Sequence, residues 1–166
     1  MTLRWNGIVQ RKLALMDQHL VRLEGHLKNV TREKFIEDWA LRSISERTIQ
    51  VCAEIMIDVS ERIISLAGGG PTATAAEAIE RLVQMEILKN AEPYRSIVRM
   101  RNLIVHGYDI VDPEILFDAA TGRLVDFRRF RDEIDLANAK AAEAPAGSTP
   151  QTADSRLETG DRRLET

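Results

Sequence analysis

The sequence predicts an all-α domain, an antiparallel up-and-down bundle of about five helices. Apolar residues recur at three- and four-residue spacing through most of the first 140 positions, and no stretch alternates apolar with polar residues between turn signals. Punctuation supplies the third observation: capping residues and the run Gly68-Gly69-Gly70-Pro71 cut the chain into helix-length pieces.

The first helix spans Leu3 to Lys28, with Ile8, Leu13, Leu15, Leu20, Leu23 and Leu27 along a broad apolar face. Thr31 is the expected N-cap of a second, long helix that reaches Leu66, where the glycines stop it and Pro71 prevents its resumption. Two long helices joined by a short turn pack antiparallel. Thr74 and Glu77 stand at capping-box spacing, so a third helix begins there, turns Ile79, Leu82, Val83 and Ile87 inward and ends near Asn90. A fourth opens at Pro93 and runs through YRSIVRMRNLIVH to Gly107, and a fifth follows Asp112 as N-cap with Pro113 at its first position. From Ala141 the composition turns small and polar, without aromatic or β-branched apolar residues, which predicts a folded domain over 1–140 and a disordered tail over 141–166. The tail repeats Arg-Leu-Glu-Thr at Arg156 and Arg163, read as duplicated low-complexity sequence.

Composition excludes several classes. With 44% hydrophobic and 30% charged residues the chain is of ordinary globular type, and a net charge of −3 does not suit a protein coated for duplex DNA. Any nucleic-acid contact is therefore local. The single cysteine, Cys52, closes no internal disulfide and anchors no zinc site, and its neighbours Val51, Ala53, Ile55 and Met56 mark it as core. Charges interrupt every apolar run before the ~18 residues a membrane helix needs, and the N-terminus carries no signal-peptide pattern, so a cytoplasmic protein is expected. His19 and His26, seven apart, lie about 10 Å from each other along a helix, too far for one metal ion. Arg123, Arg128, Arg129 and Arg131 are interleaved with Asp126, Asp132, Glu133 and Asp135, as on a solvated, salt-bridged helix. Trp5 and Trp39 are expected as core anchors.

The fourth helix carries the candidate chemistry. Arg95, Arg99, Asn102 and His106 fall at spacings of four, three and four, one polar stripe on a helix otherwise covered by Ile97, Met100, Leu103, Ile104 and Val105. Their basic groups suit a phosphate backbone. Tyr94, Arg101 and Tyr108 are separated by seven residues each, which sets Arg101 in an apolar seam with Val98 and Val105. A guanidinium there needs a carboxylate, a phosphate or a second subunit. Glu46, Gln50, Glu54 and Asp58 form a polar line on the second helix, so a purely structural ion pair stands beside a functional role. The same line raises a weaker alternative, a metal-dependent phosphohydrolase on Glu54 and Asp58, although the Glu-x-x-His pairs of a di-metal bundle are missing.

RNLIVHGY, Arg101 to Tyr108, resembles the Arg, four residues, His, one residue, Tyr signature of HepT-like toxins of the HEPN superfamily, with Asn102 as the polar residue favoured after the arginine. The flanking PYRSIVRM and VDPEILFDA, and the earlier FIEDWALRSISERTIQVCAEIMIDVSERII, are also similar to that family's order of elements from Leu3 to Ala139. The resemblance implies a HEPN-like bundle that dimerises through its fourth helices and brings two copies of Arg101 and His106 into one cleft. It implies the toxin of a type VII toxin–antitoxin pair, a metal-independent endoribonuclease without cofactor acting on RNA such as tRNA or mRNA. Arg101, His106 and Asn102 would be catalytic, and Arg95 and Arg99 would bind RNA. Tyr108 would accept AMP from a partner minimal nucleotidyltransferase antitoxin. The alternative is a non-catalytic helical subunit that dimerises or senses nucleotide within a nucleotidyltransferase complex.

Overall fold

A computed structural model describes residues 7–107 and 111–143, and they form seven helices and no strand. These are α1 (Gly7–Leu27), α2 (Arg32–Glu37), α3 (Trp39–Leu66), α4 (Ala75–Gln84), α5 (Glu92–His106), α6 (Pro113–Gly122) and α7 (Leu124–Glu143). The expected all-α bundle is present, with two of the five expected helices each divided in two.

The first division falls at Asp38. Thr31 does cap a helix, its hydroxyl accepting from the Lys34 amide, but that helix lasts six residues. Asp38 then adopts extended backbone, and its carboxylate accepts from the amides of Ala40 and Leu41, giving α3 its own N-cap. Arg42 reaches back across the break to the Ile36 carbonyl. The second division, at Arg123, follows Gly122, a poor helix residue, and lets Leu116 and Ala120 of α6 and Leu124, Phe127 and Phe130 of α7 all reach the core.

Helix α4 also ends earlier than Asn90. Glu86 takes a left-handed φ of 58°, the Ile87 amide donates to the Leu82 carbonyl and the Glu86 amide to that of Val83. This is the Schellman arrangement with glutamate where glycine is usual, so composition concealed it. Gly68, at φ 80°, closes α3 by the same pattern.

Helix α3 touches each of the other six described helices and forms the axis of the bundle. It runs antiparallel to α1: Cys52 lies against the Met16 carbonyl, while Lys12 pairs with Asp58 further along. Met16, Leu20, Phe35, Met56, Ile63, Leu82, Tyr94 and Phe130 lie at the centre of the apolar core. Arg32 joins α2 to α6, bonding Glu114 at 2.6 Å and Asp118 at 2.7 Å with its guanidinium over the Phe117 ring, which meets Phe35 edge-on.

Trp39 is not a core anchor: it is 72% exposed, opening α3 before the buried positions begin at Ser45. Ile8 and Leu15 are likewise on the surface, since the buried stripe of α1 runs through Val9, Leu13, Met16, Leu20 and Leu23. Helix α7 continues three residues into the expected tail, as far as Glu143; the rest of that tail, Trp5 and Tyr108 lie outside the described residues.

Candidate active site at the C-terminal end of helix α5

Pro93 pre-sets the first turn of α5, and the Asn90 side chain accepts from the Glu92 amide at 3.0 Å. The first half is anchored: Tyr94, Ile97 and Val98 are buried, and Tyr94 packs edge-on against Phe130 with ring centroids 5.5 Å apart. Burial, reinforced by Glu133, pushes the Tyr94 phenol well above the ordinary tyrosine range, so it stays neutral. The second half emerges from the bundle. Leu103 is 45% and Val105 39% exposed, His106 is exposed, and Gly107 leaves the helix in extended backbone with its amide on the Leu103 carbonyl.

The seven-residue series therefore divides. Tyr94 belongs to the core, while Arg101, two turns on, sits at its rim with 26% of the side chain exposed. One terminal nitrogen of Arg101 faces Glu54 Oε1 across the α3–α5 contact at 3.5 Å, and the other donates to Asn102 Oδ1 at 3.2 Å. Its Nε is buried and finds no acceptor among the described residues. Glu54 also accepts from Gln50 Nε2 at 3.0 Å. The polar line on α3 is thus shared out, Glu54 to Arg101 and Asp58 to Lys12. Sequence spacing defined this line but did not identify which member meets Arg101.

The stripe of Arg95, Arg99, Asn102 and His106 faces outward as its spacing required, all four residues being exposed. Two of its cations are already paired: Arg95 with Glu80 at 3.4 Å and Arg99 with Glu92 at 2.5 Å. Neither carboxylate was among the sequence candidates, although Glu92, seven residues before Arg99, lies on the same stripe. No described side chain bonds the His106 ring. Arg101 and His106 project about 140° apart around the helix, with Asn102 between them. Chemically this helix end offers a guanidinium at the rim of the core and, beside it on the same helix, an amide and an imidazole exposed to solvent.

Elsewhere, a cavity of about 320 Å³ opens between α3, α5, α6 and α7, lined by Ile49, Ile97, Met100, Ala119 and Phe127 with Asp118 and Arg123 at its rim; it excludes Arg101, Asn102 and His106. No helix among the described residues is long and apolar enough to cross a membrane. Cys52 is buried, as expected. Arg128 and Arg131 bond Glu24 and Asp17 of α1, so these two arginines tie α7 to α1, while Arg129 pairs with Asp126 within α7.

An all-helical bundle that presents arginine, asparagine and histidine at the emergent end of one helix has the architecture of a HEPN-type protein. The chain belongs to the HepT-like family: the family described as Ribonuclease HepT-like matches residues 16–134, well over half of the 166. It is 26% identical over 130 residues to the tRNA nuclease HepT of Aphanizomenon flos-aquae, covering 77% of this chain and 88% of that one. It is 23% identical over 131 residues to the mRNA nuclease HepT of Shewanella oneidensis, covering 78% and 97%. In fold it is similar to the tri-AMPylated Shewanella oneidensis HEPN toxin solved with its MNT antitoxin, at a TM-score of 0.73 and 22% identity over 80% of this chain and 99% of that one.

Proposed function

We propose that this chain is the toxin of a HEPN/MNT toxin–antitoxin pair, a metal-independent endoribonuclease whose site is completed by a second copy of the chain. The observation that carries the reading is the state of the α5 end. Arg101 is held at the rim with Asn102 beside it, while Leu103, Val105 and His106 are left uncovered by the single chain. A facing α5 would cover the apolar residues and bring the imidazoles and guanidinia of two chains into one groove. The nuclease names of the two relatives and the toxin–antitoxin complex of the structural neighbour support it.

RNA carries its own nucleophile, the 2′-hydroxyl. A site therefore needs to accept that proton, stabilise charge on the phosphorus centre and protonate the departing 5′-oxygen. His106 is the acid–base group, because an imidazole ring carries one nitrogen that can accept a proton and another that can donate one. Arg101 neutralises the phosphate through its terminal N–H donors, and Asn102 orients it. The products end in a 2′,3′-cyclic phosphate and a 5′-hydroxyl. Tyr108, two residues from His106, is the proposed AMP acceptor; an added phosphate and adenosine there would place charge and bulk where RNA binds. AMPylation of the neighbouring toxin supports this assignment.

The test compares wild type with Arg101→Ala and His106→Ala, measuring RNA cleavage, product ends and mass in solution. Both variants should lose cleavage by at least about 10²-fold while remaining dimeric, the scale expected when a charge stabiliser or general acid is removed. Wild-type cleavage leaving 3′-hydroxyl ends, or full activity in His106→Ala, would reject the mechanism. A second reading, a non-catalytic dimerising or nucleotide-sensing subunit of a nucleotidyltransferase complex, is favoured by one observation: Arg95, Arg99 and Arg101 each already face a carboxylate. A dimeric wild-type protein that binds the nucleotidyltransferase but cleaves no RNA would select it.

A further inference from the structure

We propose that Glu54, braced by Gln50, is a positioning residue that sets the plane of the Arg101 guanidinium so that its outer N–H pair faces the groove. The proposal rests on the reading of Arg101 as the phosphate-binding cation and names the part of α3 on which that role depends.

A guanidinium has five N–H donors in one rigid plane, so fixing two edges of the plane fixes the directions of the rest. In this chain Nε is buried at the helix rim, one terminal nitrogen faces Glu54 at 3.5 Å and the other donates to Asn102 at 3.2 Å. Each terminal nitrogen bears two hydrogens. With Asn102 taking a hydrogen bond from one terminal nitrogen and the Glu54 charge drawing the other, one hydrogen on each is left to form the fork that suits two oxygens of a phosphate.

Glu54 is itself held. Gln50 lies one turn before it on α3 and donates to the same Oε1 at 3.0 Å, and Arg47, a further turn back, donates to the Gln50 side-chain Oε1 at 3.4 Å. The row Arg47, Gln50, Glu54 stands on the helix that packs against every other described helix. By contrast Arg101 is near the end of α5, on a long side chain with considerable rotamer freedom. A long, flexible type of side chain is thus referenced to the helix at the axis of the bundle. The Glu54 carboxylate is 42% exposed, so the ion pair contributes little stability; its effect is on direction.

Charge and direction make opposite predictions, which allows a decision. If Glu54 only neutralises Arg101, removing it frees a cation and speeds cleavage. If it positions Arg101, removing it lets the plane turn and slows the chemical step. Glu54→Ala removes both charge and acceptor, while Glu54→Gln keeps the Oε1 acceptor without the charge.

The experiment uses the full chain with a fluorescently labelled mixed-sequence RNA, and in parallel the guanidinium nitrogen spectrum of 15N-labelled protein, with Arg101 assigned by its loss in Arg101→Lys. Glu54→Ala should lower kcat by about 10-fold with KM within about twofold, a loss of orientation and not of ground-state binding. Glu54→Gln should recover most of that loss, and the terminal nitrogens of Arg101 should exchange faster in Glu54→Ala than in wild type or Glu54→Gln. Unchanged or faster cleavage in Glu54→Ala, or an Arg101 spectrum identical in all three proteins, overturns the proposal. If wild type cleaves no RNA, the ribonuclease reading falls separately, and the nitrogen spectrum still decides whether Glu54 holds Arg101.

Discussion

Arg99 donates to the Glu92 carboxylate at 2.5 Å across two turns of the same helix, with both side chains more than half exposed. The hydrogen bond from Arg99 holds the Glu92 carboxyl below its ordinary range, with Arg95 and Arg123 adding to the field. On the proposed RNA track, Glu92 competes with phosphate for the guanidinium. Glu92→Gln should therefore tighten RNA binding a few-fold at low salt, an effect that fades as screening rises. Arg99→Ala should weaken it and reduce the salt slope by about one. Anisotropy titrations over a salt series, in a His106→Ala background, read both; salt slopes identical to the parent would remove Arg99 from the track.

The break between α2 and α3 depends on one carboxylate. Asp38 accepts from the Ala40 and Leu41 amides at 3.0 and 3.2 Å, and nothing else at that helix start is a good cap. Asp38→Ala should destabilise the protein by about 1 kcal/mol, and Asp38→Asn or Asp38→Ser should recover most of it. Urea unfolding midpoints check this, and equal loss in all three variants would show that the cap hydrogen bonds are not responsible.

Periodicity was sufficient for the helices because each buries an apolar stripe, and Gly68 or Thr74 then marks an end that any sequence reader recognises. The interruptions were less legible. Asp38 sits inside an otherwise continuous helical pattern, and Glu86 occupies a left-handed position usually given to glycine, so in both places the conformation is imposed by hydrogen bonds that composition does not announce. At the site, the single stripe from Arg95 to His106 followed from helix geometry alone. That Arg101 meets Glu54, and that Arg95 meets Glu80, are properties of how helices dock, to which spacing within one helix is blind. Trp39 shows the converse: a large aromatic is core only if its helix turns it inward, and here it does not.

Glu24 on α1 accepts two hydrogen bonds from Arg128 on α7, at 2.6 and 2.7 Å, and these lower its pKa from 4.5 while raising that of Arg128. A carboxyl whose pKa is lower folded than unfolded contributes stability above the unfolded value and loses it as pH falls through the folded one. Wild type should therefore exceed Glu24→Gln in stability at neutral pH, by about 1 kcal/mol or less given the exposure of the pair, and the gap should close below about pH 4. Thermal melts at several pH values test the sign. A gap that widened in acid would mean that the bidentate contact is not what lowers the carboxyl.

Cys52 is fully buried against the Met16 carbonyl at the α1–α3 contact, and burial pushes its thiol from 9.0 up to about 12. The neutral thiol is the form the fold accepts. For such a raised acid the stabilising contribution is complete below the unfolded pKa and is lost as pH rises toward the folded value, so the bundle should weaken in alkali, not near neutrality. The same burial removes both thiolate and access, the two requirements for reaction with a disulfide reagent. At pH 8 the native protein should therefore react with such a reagent only as fast as the α1–α3 contact opens, and the reaction should accelerate sharply once urea passes the unfolding midpoint. A rate in native buffer matching that of the unfolded chain would mean that α1 separates from α3 freely, contradicting the packing of Met16, Leu20, Cys52 and Met56 on which the central pair of helices depends.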